Sequence, residues 1–184
     1  EFTVGTITQP NRNRLLWRDP AVDGIKTGHH SGAGYCLMSS AMRGDQRLIA
    51  VVMGSTSEKQ RADDSMALLN WGFRFFETHR LYEPGKMIAQ QRVWKGTTKE
   101  VQLGVAAPLL VGVPRGRYGD LKPTMDVPKL LEAPITKGQA IGTVKVTLDG
   151  KLVAQAPLVA LNDVEQGGFF RRLWDSLMMW WESE

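Results

Sequence analysis

The sequence predicts an α+β fold, and three changes of pattern along the chain predict it. Two β-rich runs around a short Gly-containing turn give way to residues at helical spacing; short apolar runs separated by turn residues follow, and a sharply two-sided helix ends the chain. The parts are residues 1–80, an antiparallel sheet with a covering helix; residues 81–163, a small all-β sandwich; and residues 164–184, an amphipathic helix. With 42% hydrophobic and 23% charged residues among 184, the chain has apolar surface for one or two modest cores.

In the first part, Val22 to His29 reads as a strand. Gly34 to Met42 and Arg47 to Met53 read as a hairpin about Arg43-Gly44-Asp45-Gln46. Glu58 to Glu77 changes period: Ala62, Met66, Leu69, Phe73 and Phe76 recur at three and four residues, so they form one stripe of a helix that covers a face of the sheet. Pro84-Gly85 marks a boundary. Beyond it, Val93 and Trp94, Val101 to Val105, Leu109 to Val113, Gly142 to Leu148 and Leu152 to Leu158 are strand runs with turns between them. Asp149-Gly150 is the clearest hairpin signal among those turns.

Advancing 100° per residue from Phe169 places Phe169, Phe170, Leu173, Trp174, Leu177, Met178, Trp180 and Trp181 within about half of the helical wheel. Arg171, Arg172, Asp175, Ser176, Glu182 and Ser183 fill the other half, with Met179 the main exception. The longest unbroken apolar run of this segment, Leu177 to Trp181, is far short of the roughly twenty residues that a spanning helix needs. Such a helix suits the plane of a lipid interface, where indoles settle and Arg171 and Arg172 meet anionic headgroups. Expected membrane contacts are Phe169, Phe170, Leu173, Trp174, Leu177, Trp180 and Trp181, with Gly167-Gly168 freeing the helix from the sandwich. The competing reading is a helix packed on its own domain or on a partner.

Composition excludes several classes. The net charge is +4, but the basic residues are scattered, with only Arg12, Arg14 and Arg18 loosely clustered and no aromatic-interleaved patch to stack bases, so nucleic acid is set aside. The single cysteine, Cys36, rules out an intrachain disulfide, and its apolar neighbours predict a buried thiol. Adjacent His29 and His30 point to opposite faces of a strand, and with His79 they make no metal cluster, so neither metal nor cofactor is expected.

One short motif carries chemistry. Lys26-Thr27-Gly28 lies on the first strand, and this triplet is the third signature of the penicillin-recognising serine acyl-transferases. By chance alone it turns up in a chain of this length on the order of a few per cent of the time. No Ser stands three residues before any lysine, and none stands two before an Asn, so the two signatures that carry the nucleophile are missing. The run from Val22-Asp23-Gly24-Ile25-Lys26-Thr27-Gly28-His29 to Ala50-Val51-Val52-Met53-Gly54 resembles the D-alanyl-D-alanine carboxypeptidases, the low-molecular-mass penicillin-binding proteins. Asn11 to Trp17, Leu69 to Glu77 and Val113-Pro114-Arg115-Gly116-Arg117 extend the resemblance over essentially the whole chain.

The resemblance implies the C-terminal part of a transpeptidase-like catalytic domain, then the β-sandwich, then a helix that anchors the enzyme to the outer face of the bacterial inner membrane. It implies a serine from an absent N-terminal half, which cleaves the stem peptide between two D-alanines through an acyl-enzyme and is trapped by β-lactams. For this chain the resemblance implies that Lys26 orients substrate and polarises the serine network, that Thr27 contacts the substrate's terminal region, and that the His29 backbone N–H joins the oxyanion hole. Lys26 and Gly28 share a strand face, which leaves room for a substrate backbone at Gly28. Arg61 stands either at the substrate carboxylate, as in the family, or on an exposed helix surface. His30 replaces a usual threonine and Cys36 a common asparagine. The chain by itself is expected to be inactive. Two other readings compete, a noncatalytic cell-envelope module docked on a membrane and a β-lactamase-like enzyme, the second disfavoured by the trailing β-domain and helix.

Overall fold

A computed structural model of the chain describes residues 1–182, with Phe2 and residues 180–182 described by their backbone alone. The chain divides into two compact units, residues 1–78 with 112–116 and residues 79–111 with 117–184.

The first unit opens with a ribbon of β1 (Phe2–Val4) and β2 (Ile7–Gln9) and a short helix α1 (Leu15–Arg18). Its centre is an antiparallel sheet of β3 (Val22–His30), β4 (Gly34–Arg43) and β5 (Gln46–Ser55), in that order, followed by helix α2 (Glu58–Phe75). Gly44 takes φ 58° in the two-residue β4–β5 turn, a left-handed position that glycine occupies without penalty. Strand alternation then sorts the side chains: Leu37, Ala41, Ala50 and Val52 are buried, whereas Met38, Ile49, Val51 and Met53 on the opposite face are exposed. The buried set packs with Leu15, Val22, Ala62, Leu69 and Phe73 into one core.

Ser57 caps α2, its hydroxyl accepting the Gln60 N–H at 3.1 Å. The helix ends at Phe75, two residues before the expected Glu77, because Phe76 is extended and begins β6 (Phe76–Tyr82). Arg115 N–H donates to Phe75 O at 2.8 Å, so strand-like pairing claims the chain where helical periodicity would have continued.

The second unit carries β7 (Ala89–Arg92), β8 (Glu100–Val105), β10 (Lys122–Asp126), β11 (Ala140–Leu148) and β12 (Lys151–Ala160) as one sheet, ordered β10-β11-β12-β8-β7 with antiparallel neighbours. A separate ribbon pairs β6 with β9 (Leu109–Pro114). Asp149 and Gly150 take φ 52° and 74°, the two left-handed positions of a type I′ hairpin turn. Val101, Leu103, Ile135, Ala160 and Val164 belong to one core cluster, and Val105, Leu109, Val144, Val146 and Leu158 form a second. This fold class, α+β with a trailing all-β part and a terminal helix α3 (Phe169–Glu182), is the one the sequence predicts.

Three local expectations are corrected. Trp94 does not continue a ladder strand: its N–H donates to Leu131 O at 2.7 Å and its carbonyl accepts from Ala133 at 2.9 Å, so a loop rather than a strand pairs with it. Cys36 is half-buried, not buried, because it lies on the open face of the β3–β4–β5 sheet. Gly167-Gly168 does not free the terminal helix. Gly167 N–H donates to Lys95 O at 2.7 Å, Asp175 Oδ2 accepts the Lys95 N–H at 2.6 Å, and Arg171 Nη1 donates to Thr97 O at 3.0 Å.

In the first unit, the Ala21 backbone N–H, and after it the Arg43 guanidinium at 2.8 Å, hold the Asp19 carboxyl below its ordinary value. A carboxyl depressed by folding adds stability that is complete above its unfolded value and is lost as pH falls through the lowered one. Asp19→Asn is therefore expected to lower the melting temperature at neutral pH. Thermal unfolding at stepped pH should show the gap to the parent closing below about 3.8.

Candidate functional site

Strand β3 stands at the edge of its sheet, hydrogen-bonded to β4, and among the described residues no strand pairs with its other edge. Such an edge presents backbone N–H and C=O groups to an incoming extended peptide. Lys26 lies opposite Met38 and Gly28 opposite Cys36 on one face, whereas Thr27 lies opposite Leu37 and His29 opposite Tyr35 on the other. Lys26 Nζ donates to Thr27 O at 2.6 Å, which holds the ammonium along its own strand.

Gly28 has no need to be glycine for the sake of its own fold. A Cβ built there meets only Cys36 Cβ at 3.8 Å, an ordinary contact, and its φ lies outside the left-handed region. Gly34, which opens β4, is the contrary case: its φ is 64° and a Cβ would stand 2.9 Å from Ser55 O.

Arg61 joins the strand to helix α2. It is 3% exposed, so it is no surface residue of the helix, and its Nη1 donates to Gly28 O and its Nη2 to Arg12 O, each at 3.2 Å. Glu58 Oε1 lies 3.6 Å from Nη2 and balances part of the charge. The guanidinium carbon sits 5.6 Å from the Tyr35 ring centroid, and the Tyr35 ring lies 4.1 Å from that of His29. The structure thus brings Gly28, His29 and Arg61 together, with Thr27 turned to the α2 side of the sheet and Lys26 to the open side. Sequence reasoning missed Tyr35 and Arg12, and pairing Gly34-Tyr35 back across the Ser31–Ala33 turn would have found the first of them. His30 Nδ1 accepts the Gly32 N–H at 3.2 Å and so closes that turn.

On α3, the side chains of Phe169, Phe170, Leu173, Trp174 and Leu177 are between 61% and 84% exposed. Those of Trp180 and Trp181 lie outside the described residues. Among the described residues, no helix is long and apolar enough to cross a membrane.

Truncating Arg61 would leave the Gly28 and Arg12 carbonyls without a charged donor, a loss of about 2–3 kcal/mol, whereas Gly28→Ala meets nothing closer than an ordinary contact. Chemical denaturation should therefore show Arg61→Ala strongly destabilised and Gly28→Ala within about 1 kcal/mol of the parent.

Comparison with known proteins follows the same division of the chain. Residues 1–57 match the family described as D-alanyl-D-alanine carboxypeptidase, and residues 76–166 match penicillin-binding protein 5, C-terminal domain. The chain is 49% identical over 182 residues to D-alanyl-D-alanine carboxypeptidase DacC of Escherichia coli, and 45% identical over 181 residues to DacA of the same organism. Each match covers 97% of this chain and 45% of the relative, so the chain spans about half the length of the curated relatives it matches. The solved penicillin binding protein 5 from Haemophilus influenzae superposes with a TM-score of 0.77 at 46% identity, over 90% of this chain and 49% of that one. In sequence over nearly its whole length, and in fold, the chain belongs to the D-alanyl-D-alanine carboxypeptidase family.

Proposed function

We propose that this chain supplies the substrate-binding wall and the membrane-contacting part of a serine-type D-alanyl-D-alanine carboxypeptidase that trims peptidoglycan. One observation carries the reading. The Lys26-Thr27-Gly28 triplet occupies an unpaired sheet edge whose backbone is held from behind by a buried guanidinium. A stem peptide ending in D-Ala-D-Ala lies along β3 as an added strand, its backbone passing over Gly28, where a side chain would stand in its way. A serine hydroxyl supplied from outside this chain adds to the carbonyl carbon between the two D-alanines, and the His29 N–H stabilises the oxyanion. The C–N bond then breaks, the terminal D-alanine leaves with a proton on its amine, and water hydrolyses the acyl ester. A β-lactam is trapped at the acyl stage.

Lys26 orients the substrate and tunes the proton network of the serine. Arg61, engaged by Gly28 O and Arg12 O, sets the strand's position and places positive charge beneath the substrate's terminal carboxylate. The exposed apolar face of α3 holds the enzyme peripherally on the outer face of the bacterial inner membrane, in the periplasm. By itself the chain is inactive.

A second reading, a noncatalytic membrane-docked module of the cell envelope, draws on the absence of Ser-x-x-Lys and Ser-x-Asn from the sequence. Mixing this chain with the separately produced N-terminal half of a relative, and adding labelled penicillin, separates the two. A denaturation-resistant adduct on the added half is expected only in the presence of this chain, and Lys26→Ala should slow its formation by about 100-fold. If both halves fold and associate without an adduct, the module reading stands instead.

A further inference from the structure

The second unit holds a cavity of about 440 Å³ where the terminal helix meets the β-sheet, lined by Arg92, Lys99, Glu100, Arg171, Trp174 and Asp175 among others. Its size falls in the ordinary range of small-ligand sites. From this chemistry we infer that the cavity is a binding site for the phosphate of an anionic phospholipid headgroup, an inference that rests on the reading that α3 lies on a lipid surface.

Charge is the first support. Three cations face two carboxylates, and one of the carboxylates is engaged within the fold: Asp175 Oδ2 accepts the Lys95 N–H at 2.6 Å. Arg92 stacks its guanidinium 3.6 Å from the centroid of the Trp94 ring, a geometry that fixes the plane of the fork. Arg171 Nη1 donates to Thr97 O at 3.0 Å, which holds a second fork in place with further N–H donors on the same group. The held Arg171 fork and the Lys99 ammonium suit a tetrahedral phosphodiester better than a neutral ligand.

Position is the second support. Trp174 lines this cavity and also belongs to the exposed apolar surface of Phe170, Leu173 and Leu177. A lipid whose acyl chains lie along that surface therefore carries its phosphate to the cavity's edge without leaving the helix. An indole between the two is in the setting that tryptophan favours at a headgroup boundary. Arg172, on the same helix, lines a separate depression with Lys95, Phe169, Leu173 and Ser176, and so serves as a charge-matched control.

The test uses the full chain with two probes. A short-chain phosphatidylglycerol, kept below its aggregation concentration, should bind saturably by tryptophan fluorescence. Lys99→Gln should weaken that binding by about tenfold, several times more than Arg172→Gln does. On phosphatidylcholine vesicles with and without phosphatidylglycerol, Lys99→Gln should lose more of the anionic preference than Arg172→Gln. Equal losses by both variants would indicate a diffuse field and overturn the site, as would absence of saturable binding. Stronger saturation by inorganic phosphate or by a stem peptide than by the lipid would overturn it too. Failure of the underlying reading looks different: the parent chain would not sediment with any vesicle, and Leu177→Ser would change nothing.

Discussion

A single guanidinium, that of Arg61, organises the first unit. At 3% exposed it sits where a charge is costly unless every neighbour is arranged for it, and the arrangement includes the carbonyls of Gly28 and Arg12 and the Glu58 carboxylate. Those groups come from strand β3, the N-terminal segment and the first turn of α2. Ser57 starts the helix at the point that brings Arg61 under β3, and the apolar stripe of Ala62, Leu69 and Phe73 fixes the helix on the sheet. What looks like a binding motif is thus the exposed end of a packing solution.

The second unit is tied by different means. One of its apolar clusters is built from strand residues and the other joins strand residues to Val93, Leu131, Ala133, Ile135 and Val164 of the connections, and its terminal helix is secured by polar contacts to residues 95–97 and by the close-fitting Gly167, where a Cβ would stand 3.1 Å from the carbonyls of Lys95 and Gly96. The apolar face of that helix is left outward. On the reading proposed above, a helix that ties Arg171 and Asp175 to its own domain and leaves Phe169, Phe170 and Trp174 exposed meets an apolar phase rather than completing a core.

Periodicity made most of this legible. The β4–β5 hairpin, α2, the Asp149-Gly150 turn and the two-sided terminal helix all announce themselves through short-range pattern, because each is decided by local sterics and by one buried face. Strand β10 did not, since Pro123 and the exposure of all five of its residues leave no alternation to read; it forms because β11 offers it an edge. The burial of Arg61 was equally invisible, for its two carbonyl partners, each 3.2 Å away in space, stand 33 and 49 residues away in sequence. The triplet Lys26-Thr27-Gly28 was readable as a motif, but the unpaired edge that gives it meaning depends on strand order. The docked helix was misread because Gly167-Gly168 looks like a hinge until Lys95 is seen beside it.

The most direct measurement is amide hydrogen exchange, residue by residue, in the parent chain and in Arg61→Lys. If the guanidinium is what sets strand β3, exchange should quicken there and at the amides near Arg12, while β5 and the five-stranded sheet of the second unit keep their protection. Uniform quickening throughout the first unit, or no change at β3, would contradict the account and reduce Arg61 to an ordinary contributor to the core.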